Sequence, residues 1–195
     1  MLYTLYTSDN KPERSLLEKI ATVSERYLPG QRETLNTRGI VECEMSPEFI
    51  LELINDSAGK LLVATRDDGS FIGHTIYFTD EESFPEEIAG ELPELLPDYR
   101  PLSFLYYMVI DFDAGLLEKI KAARGMFRQV KDDCRDSGCA HLIADHMVAP
   151  WTCAVGKFMS WAGGFKPTGK TYGGVEEIPG QGEVEMTFSI GALKL

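Results

Sequence analysis

The chain has 195 residues, of which 44% are hydrophobic and 26% are charged, and its formal net charge is −12. This length suits one well-buried domain better than two, so residues 1–195 are predicted to form a single domain. The acidic balance repels nucleic-acid phosphates and anionic lipid headgroups, and no apolar stretch approaches the roughly 20 residues of a membrane helix, so neither nucleic acid nor a membrane is an expected partner.

Signals for export and for metal binding are missing from the sequence pattern. The N-terminus lacks a basic region followed by an apolar core, which predicts a cytoplasmic protein. The four cysteines form no CxxC pair and the three histidines are scattered, so neither a disulfide framework nor a metal site is predicted.

The first half of the chain predicts a strand, two helices and a hairpin. LYTLYT favours a strand, and the apolar stripe of SLLEKIATVSERYL predicts a helix that ends at Pro29-Gly30. Residues 31–44 are predicted as loop, and Ser46-Pro47 opens a short second helix. The β-rich runs of residues 60–65 and 70–78 flank Asp67-Asp68-Gly69, and this turn sequence predicts a hairpin.

Residues 80–98 hold eight acidic residues and three prolines between two predicted strands. The composition predicts an acidic insertion at about residues 80–100. We expect it to be a solvated loop with one short helix at residues 93–96.

The second half predicts an alternation of strands and helices. The apolar run Leu102–Phe112 predicts a strand, and a basic, glycine-containing helical segment follows it. A further strand precedes a helix that ends in Gly163-Gly164-Phe165, and the alternation of EVEMTFSI predicts a half-solvated closing strand.

This order of elements resembles that of the GNAT-type N-acetyltransferases over nearly the whole chain. DDGSFIGHTIYF looks like the central hairpin of that family, and KFMSWAGGFKPTG is similar to its helix ending in Gly-Phe. The resemblance implies an α+β fold, an α/β/α sandwich. Its central sheet would be mixed and mostly antiparallel, with helices on both faces and with splayed fourth and fifth strands.

The resemblance also implies acetyl-CoA as a co-substrate, without a metal. In the family the pantetheine arm lies between the splayed strands and pairs with backbone groups of the fourth. Met108, Val109 and Ile110 occupy that strand here. Their backbone groups are therefore the predicted contacts of the arm.

Two registers are open for the loop that would hold the cofactor's diphosphate. The preferred one places Arg124, Gly125, Met126 and Phe127 at the start of a helix, because glycine inside a helix costs roughly 1 kcal/mol relative to alanine and Arg124 would pair with a phosphate. The other starts the helix at Gly115 and makes one continuous apolar stripe from there. In that register Lys119 and Lys121 would flank the phosphates.

The catalytic residues of the family are matched less completely in this sequence than its secondary-structure elements are. Asp111, at the end of the fourth strand, is the predicted base. Ser160 occupies the position where many family members carry a tyrosine that protonates the departing thiolate, and a serine hydroxyl is a weaker acid. Tyr106, Tyr107 and Tyr172 are the alternative proton donors.

These observations predict transfer of an acetyl group from acetyl-CoA to a primary amine of a small molecule or peptide. The acidic insertion would favour a cationic acceptor. The alternative is a catalytically degenerate CoA-binding or regulatory module, for which the missing tyrosine and the irregular phosphate loop argue. A homodimer is compatible with either hypothesis.

Overall fold

The computed structural model describes residues 1–27, 45–55, 58–85, 91–111, 113–149, 155–178 and 182–195. The predicted helix end at Pro29-Gly30 and the predicted loop at residues 31–44 lie outside this part of the chain. The strands are β1 (Leu2–Tyr6), β2 (Lys60–Thr65), β3 (Phe71–Phe78), β4 (Leu102–Ile110), β5 (His141–Ala149), β6 (Lys166–Ile178) and β7 (Gly182–Lys194). The helices are α1 (Arg14–Glu25), α2 (Pro47–Asn55), α3 (Glu91–Leu95), α4 (Leu116–Asp136) and α5 (Val155–Phe158), and α5 continues as a π-helical turn over Met159–Gly163.

The seven strands form one sheet in the order β1-β2-β3-β4-β5-β7-β6. Every neighbouring pair is antiparallel except β4 and β5, which run parallel. The predicted fold class, with its mixed and mostly antiparallel sheet, is confirmed.

Helices cover both faces of the sheet, which explains why its central strands read as nearly continuous apolar runs. All eight residues of β3 are buried. One core cluster joins α1 and α2 to the sheet through side chains such as Ile20 and Ile50. The other joins α4 to the opposite face through side chains such as Met126 and Val130. We call these two sides the α1/α2 face and the α4/α5 face.

Helix α4 begins at Leu116 and runs without a break through Gly125. The preferred register, in which Gly125 starts the helix, is therefore wrong, and the Gly115 register gives the correct start. The glycine has a packing reason, because a Cβ at this position would overlap the phenol of Tyr3. Close packing of the β1 tyrosine outweighs the modest helix-propensity cost of glycine.

The described parts of the acidic segment after β3, residues 80–85 and 91–98, are more ordered than predicted. The segment contains 3₁₀ turns at Glu81–Ser83 and Pro97–Tyr99 in addition to α3. Phe84, Leu92 and Leu96 are at most 5% exposed and belong to the core on the α1/α2 face. The expectation of a solvated loop was wrong here, because these spaced apolar residues anchor the segment. Within the described residues, no helix is long and apolar enough to cross a membrane.

Candidate functional site

A gap opens where the two parallel strands part. Strand β4 pairs with β5 only from Leu102 to Leu105, opposite His141 to Ala144. Beyond that point β4 remains on β3 as far as Ile110, whereas β5 remains on β7. Tyr106 is the extra residue of a bulge in β4, because Ile76 faces Tyr107 while Tyr77 faces Leu105. Since a bulge bends its strand, it accounts for the separation at this point.

The gap is lined on one side by the backbone of β4. The N–H of Asp111 donates to the Ile72 carbonyl on β3 at 2.6 Å, so alternation along the strand directs the backbone groups of Val109 toward β3 and those of Met108 and Ile110 toward the gap. The Ile110 carbonyl accepts a 2.5 Å hydrogen bond from the Tyr27 hydroxyl. Of the three predicted arm contacts, Met108 therefore offers the most backbone to an extended ligand.

A carboxylate lies at the apex of the gap on the α1/α2 face. Asp145 is the first β5 residue after the last pair with β4. It faces Ile190 of β7, which belongs to the core of the α1/α2 face. Tyr172 of β6 donates a short hydrogen bond to the carboxylate. Burial raises the pKa of Asp145 to about 6, and the hydrogen bond from Tyr172 opposes that rise.

Two histidines near the gap are neutral for the same physical reason. His74 on β3 is fully buried, its ring stacks on Tyr107 with 5.5 Å between centroids, and desolvation lowers its pKa to about 3. Its ring nitrogens have no hydrogen-bond partner among the described residues. His146, the next β5 residue after Asp145, packs against Gly156 on the α4/α5 face, and burial lowers its pKa as well. The apex thus has a carboxylate on one face and a neutral imidazole on the other.

Solved structures with this architecture are numerous. A ribosomal-protein-alanine N-acetyltransferase from Brucella melitensis is 20% identical, with full coverage of both chains and a TM-score of 0.59. A GNAT-family acetyltransferase from Listeria monocytogenes is 14% identical, with a TM-score of 0.60 over 100% of this chain and 94% of that one. The acetyltransferase yncA of Salmonella typhimurium, solved with acetyl-CoA, is 13% identical, with a TM-score of 0.58 over 100% and 95% of the two chains.

The protein has the GNAT fold. No protein-family model matches the sequence, and no curated protein matches it. The likeness therefore rests on architecture, including the parallel strand pair and the gap between its members.

In this GNAT fold, the turn from β4 to α4 is rich in carboxylates. Asp111 accepts a hydrogen bond from the backbone N–H of Asp113 at 3.2 Å. Arg26, the residue after α1, binds Asp113 at 2.8 Å and lies 3.8 Å from Asp111. Asp111 is thus built into the turn, and its role as a base remains a prediction.

The first turn of α4 is capped by its own glutamate. The N–H of Gly115 donates to Glu118 at 3.1 Å, and Arg66 binds the same carboxylate at 2.8 Å. These partners lower the pKa values of Glu118 and Asp113, with the arginine hydrogen bond as the largest cause in each case. Two arginines therefore pair with three carboxylates around the start of the helix.

The remaining predicted residues lie elsewhere on the α4/α5 face. Arg124, in the middle of α4, stacks over the ring of Trp161 at 4.5 Å. Met126 and Phe127 are buried in the core. Gly125 is also buried, inside α4. Ser160 is exposed in the π-helical turn. None of these four α4 residues lies at the β4–α4 turn, and their predicted role in cofactor binding remains untested.

Asp145, His146 and His74 are the site residues that the sequence reasoning missed. A signal was available in HLIADHMVA, because a carboxylate in the middle of an apolar strand usually requires a partner. The partner, Tyr172, is 27 residues away and on a strand that is not adjacent. Only the three-dimensional arrangement brings the two together.

Proposed function

We propose that the protein transfers an acetyl group from acetyl-CoA to a primary amine, with Asp145 as the general base. The observation that carries this proposal is the desolvated Asp145 carboxylate at the apex of the gap between β4 and β5. The GNAT fold and the neighbour solved with acetyl-CoA support the choice of donor.

The gap suits an extended arm that ends in a thioester. An arm that pairs with Met108 and continues along β4 toward the bulge at Tyr106 reaches the apex with its far end. The donor would enter from the α4/α5 face, and the acceptor from the α1/α2 face, where the carboxylate lies. The two reactants would then meet beside Asp145.

The chemistry at this point is a direct displacement. The amine nitrogen attacks the thioester carbonyl carbon, the C–N bond forms, and the C–S bond breaks with departure of a thiolate. Asp145 accepts the proton that the nitrogen loses, which requires the carboxylate to be ionised. A pKa of about 6 leaves Asp145 ionised at neutral pH and more basic than an ordinary aspartate.

A cationic acceptor fits the charge of the α1/α2 face. Glu91, Glu94 and Asp98 are exposed on the segment that packs against this side of the sheet. A polyamine, an aminoglycoside or a lysine side chain would be attracted to it, consistent with the net charge of −12.

The test is an acetylation assay over a panel of primary amines with acetyl-CoA, for the wild type and Asp145→Asn. We expect amide formation by the wild type and a loss of about 100-fold or more in kcat/KM for the variant, the range of general-base catalysis. A matched control is Asp132→Asn, an exposed position on α4. Equal activity of Asp145→Asn and the wild type would refute the assignment of the base.

A second candidate function has a specific observation in its favour. Ser160, at the position where many members of the GNAT family carry a proton-donating tyrosine, is exposed and is a weak acid. A binding or regulatory module that holds CoA without turnover would have this arrangement. Native mass spectrometry that detects bound CoA, together with no amide product across the panel, would favour the module over the enzyme.

A further inference from the structure

We infer that the acyl donor is held through its pantetheine arm and gains no affinity from a diphosphate at the start of α4. The inference rests on the proposed function and specifies its donor as a pantetheine thioester, whether free or attached to a carrier. It arises from a disagreement between the GNAT fold, which implies a diphosphate at this turn, and the groups present there.

The backbone donors of residues 113–115, the described part of the β4–α4 turn that leads into the helix, already have partners within the protein. The N–H of Asp113 donates to the Asp111 side chain, and the N–H of Ala114 donates to the Asp111 carbonyl. The N–H of Gly115 donates to the Glu118 side chain. A helix start binds anions because its N–H groups are unsatisfied. Here the Glu118 carboxylate accepts a hydrogen bond from the N–H of Gly115 at the N-cap, so an anionic group of the protein already lies at the start of the helix.

The charges at the turn oppose a diphosphate as well. Asp111, Asp113 and Glu118 lie within eight residues, and Arg26 and Arg66 pair with them. The lysines of the same stretch also act on carboxylates of the protein, Lys119 on Asp113 and Lys121 on Asp67. A diphosphate would have to take these two arginines from their carboxylates, which would leave the carboxylates unpaired beside another anion. Like charges at such distances repel by an amount comparable to the attraction that the arginines would supply.

The two side chains that open α4 do not suit a highly charged ligand either. Leu116 is 73% exposed and Leu117 is 81% exposed. An arm of amide and methylene groups can pack against such side chains, whereas a diphosphate gains nothing from them. By contrast, the backbone of Met108 and the apex at Asp145 recognise only the arm and its thioester.

The experiment compares calorimetric titrations of the full chain with CoA and with pantetheine, which lacks the diphosphate and the nucleotide. We expect dissociation constants within about threefold of each other, and kcat/KM values for acetyl-CoA and acetyl-pantetheine that agree equally well. A preference of about 30-fold or more for CoA would overturn the inference and leave the proposed function standing. Absence of binding and turnover with both compounds would overturn the proposed function and, with it, the inference.

A charge variant sharpens the test. Asp113→Asn with Glu118→Gln releases Arg26 and Arg66 from these carboxylates, so the affinity for CoA should rise by about tenfold while that for pantetheine stays unchanged. Asp132→Asn with Asp136→Asn removes two charges from the far end of the same helix and should change neither affinity. Equal effects of the two double variants would contradict a local electrostatic cause.

The source of the arm is distinguished by a third donor, an acetylated carrier protein bearing the same phosphopantetheine arm. Faster transfer from the carrier than from acetyl-pantetheine would assign a protein-bound donor. Equal transfer would assign a free thioester. Either result agrees with recognition of the arm, whereas transfer from acetyl-CoA alone contradicts it.

Discussion

The carboxylate of Asp145 on β5 and the hydroxyl of Tyr172 on β6 meet across the intervening strand β7. The tyrosine ring is held in place by stacking on Phe188 of β7, with 5.2 Å between centroids. The pair therefore spans three strands on the α1/α2 face and orients the carboxylate at the apex of the gap. Because burial dominates the environment of the carboxylate, its proton affinity is set within the useful range of a base.

The first prediction concerns the pH dependence of acetyl transfer. Asp145 must be ionised to accept a proton, and its pKa in the folded protein is about 6, so kcat/KM should fall as the pH drops below about 6. We call this fall in kcat/KM at low pH the acidic limb. The assay needs an acceptor amine that is neutral down to about pH 5, so that titration of the amine does not itself produce an acidic limb.

The control for this limb is Asp111→Asn, which alters the carboxylate that the sequence favoured. The variant should keep the acidic limb, because Asp111 is part of the β4–α4 turn. Loss of the limb in Asp111→Asn, with its retention in Asp145→Asn, would reverse the assignment.

The second prediction concerns Tyr172→Phe. The hydrogen bond from Tyr172 lowers the pKa of Asp145, so its removal should raise that pKa and move the acidic limb of kcat/KM to higher pH. The phenylalanine ring preserves the stacking on Phe188, which separates the hydroxyl from the packing. A limb that stays in place would show that the two residues are not coupled in solution.

The sequence was sufficient for the architecture and insufficient for the site. The Asp67-Asp68-Gly69 turn and the alternating closing strand are local signals, and the structure has both a β2–β3 hairpin and β7 there. To predict where α4 starts, one must know whether Gly125 begins the helix or lies inside it to leave room for a neighbouring side chain. That neighbour, Tyr3, is 122 residues away in the sequence. Asp145 became recognisable as a site residue only through a strand separation and a tyrosine that no local pattern encodes.

The third prediction concerns Gly125, which packs against Tyr3 and should affect stability rather than donor binding. Gly125→Ala should lower the free energy of unfolding by about 1–2 kcal/mol, because the cost of overlap with the phenol exceeds the gain in helix propensity. In a Tyr3→Ala background the same change should stabilise the protein by about 0.5–1 kcal/mol, since the overlap is gone. Denaturant unfolding measures both values.

A measurement of CoA binding separates a packing role of Gly125 from a role in holding the donor. The thermal shift produced by CoA should be the same for Gly125→Ala and the wild type, when each is compared with its own ligand-free state. A shift that disappears in the variant would restore the discarded register, in which this glycine approaches the phosphates.

The fourth prediction concerns the acidic segment on the α1/α2 face. Glu91→Gln with Glu94→Gln should raise KM for a diamine acceptor by about threefold and weaken its dependence on ionic strength, because long-range attraction of the cation is reduced. The value of kcat should not change. Asp132→Asn with Asp136→Asn, on the opposite face of the sheet, is the matched control, and an equal rise in KM there would indicate only an effect of net charge.

The fifth prediction concerns the stability of the fold in mild acid. His74 is fully buried and its pKa is lowered to about 3, whereas the unfolded chain binds a proton near the ordinary value of 6.5. The unfolded state therefore gains protons first as the pH falls, and the contribution of His74 to stability is lost between pH 6.5 and about 3. The raised pKa of Asp145 acts in the opposite direction, so the test compares the wild type with His74→Phe rather than reading one curve alone. Between about pH 7 and pH 5 the free energy of unfolding should fall by about 2 kcal/mol more for the wild type than for the variant, measured by denaturant unfolding. Parallel curves would show that His74 takes up its proton equally well in the folded and unfolded states.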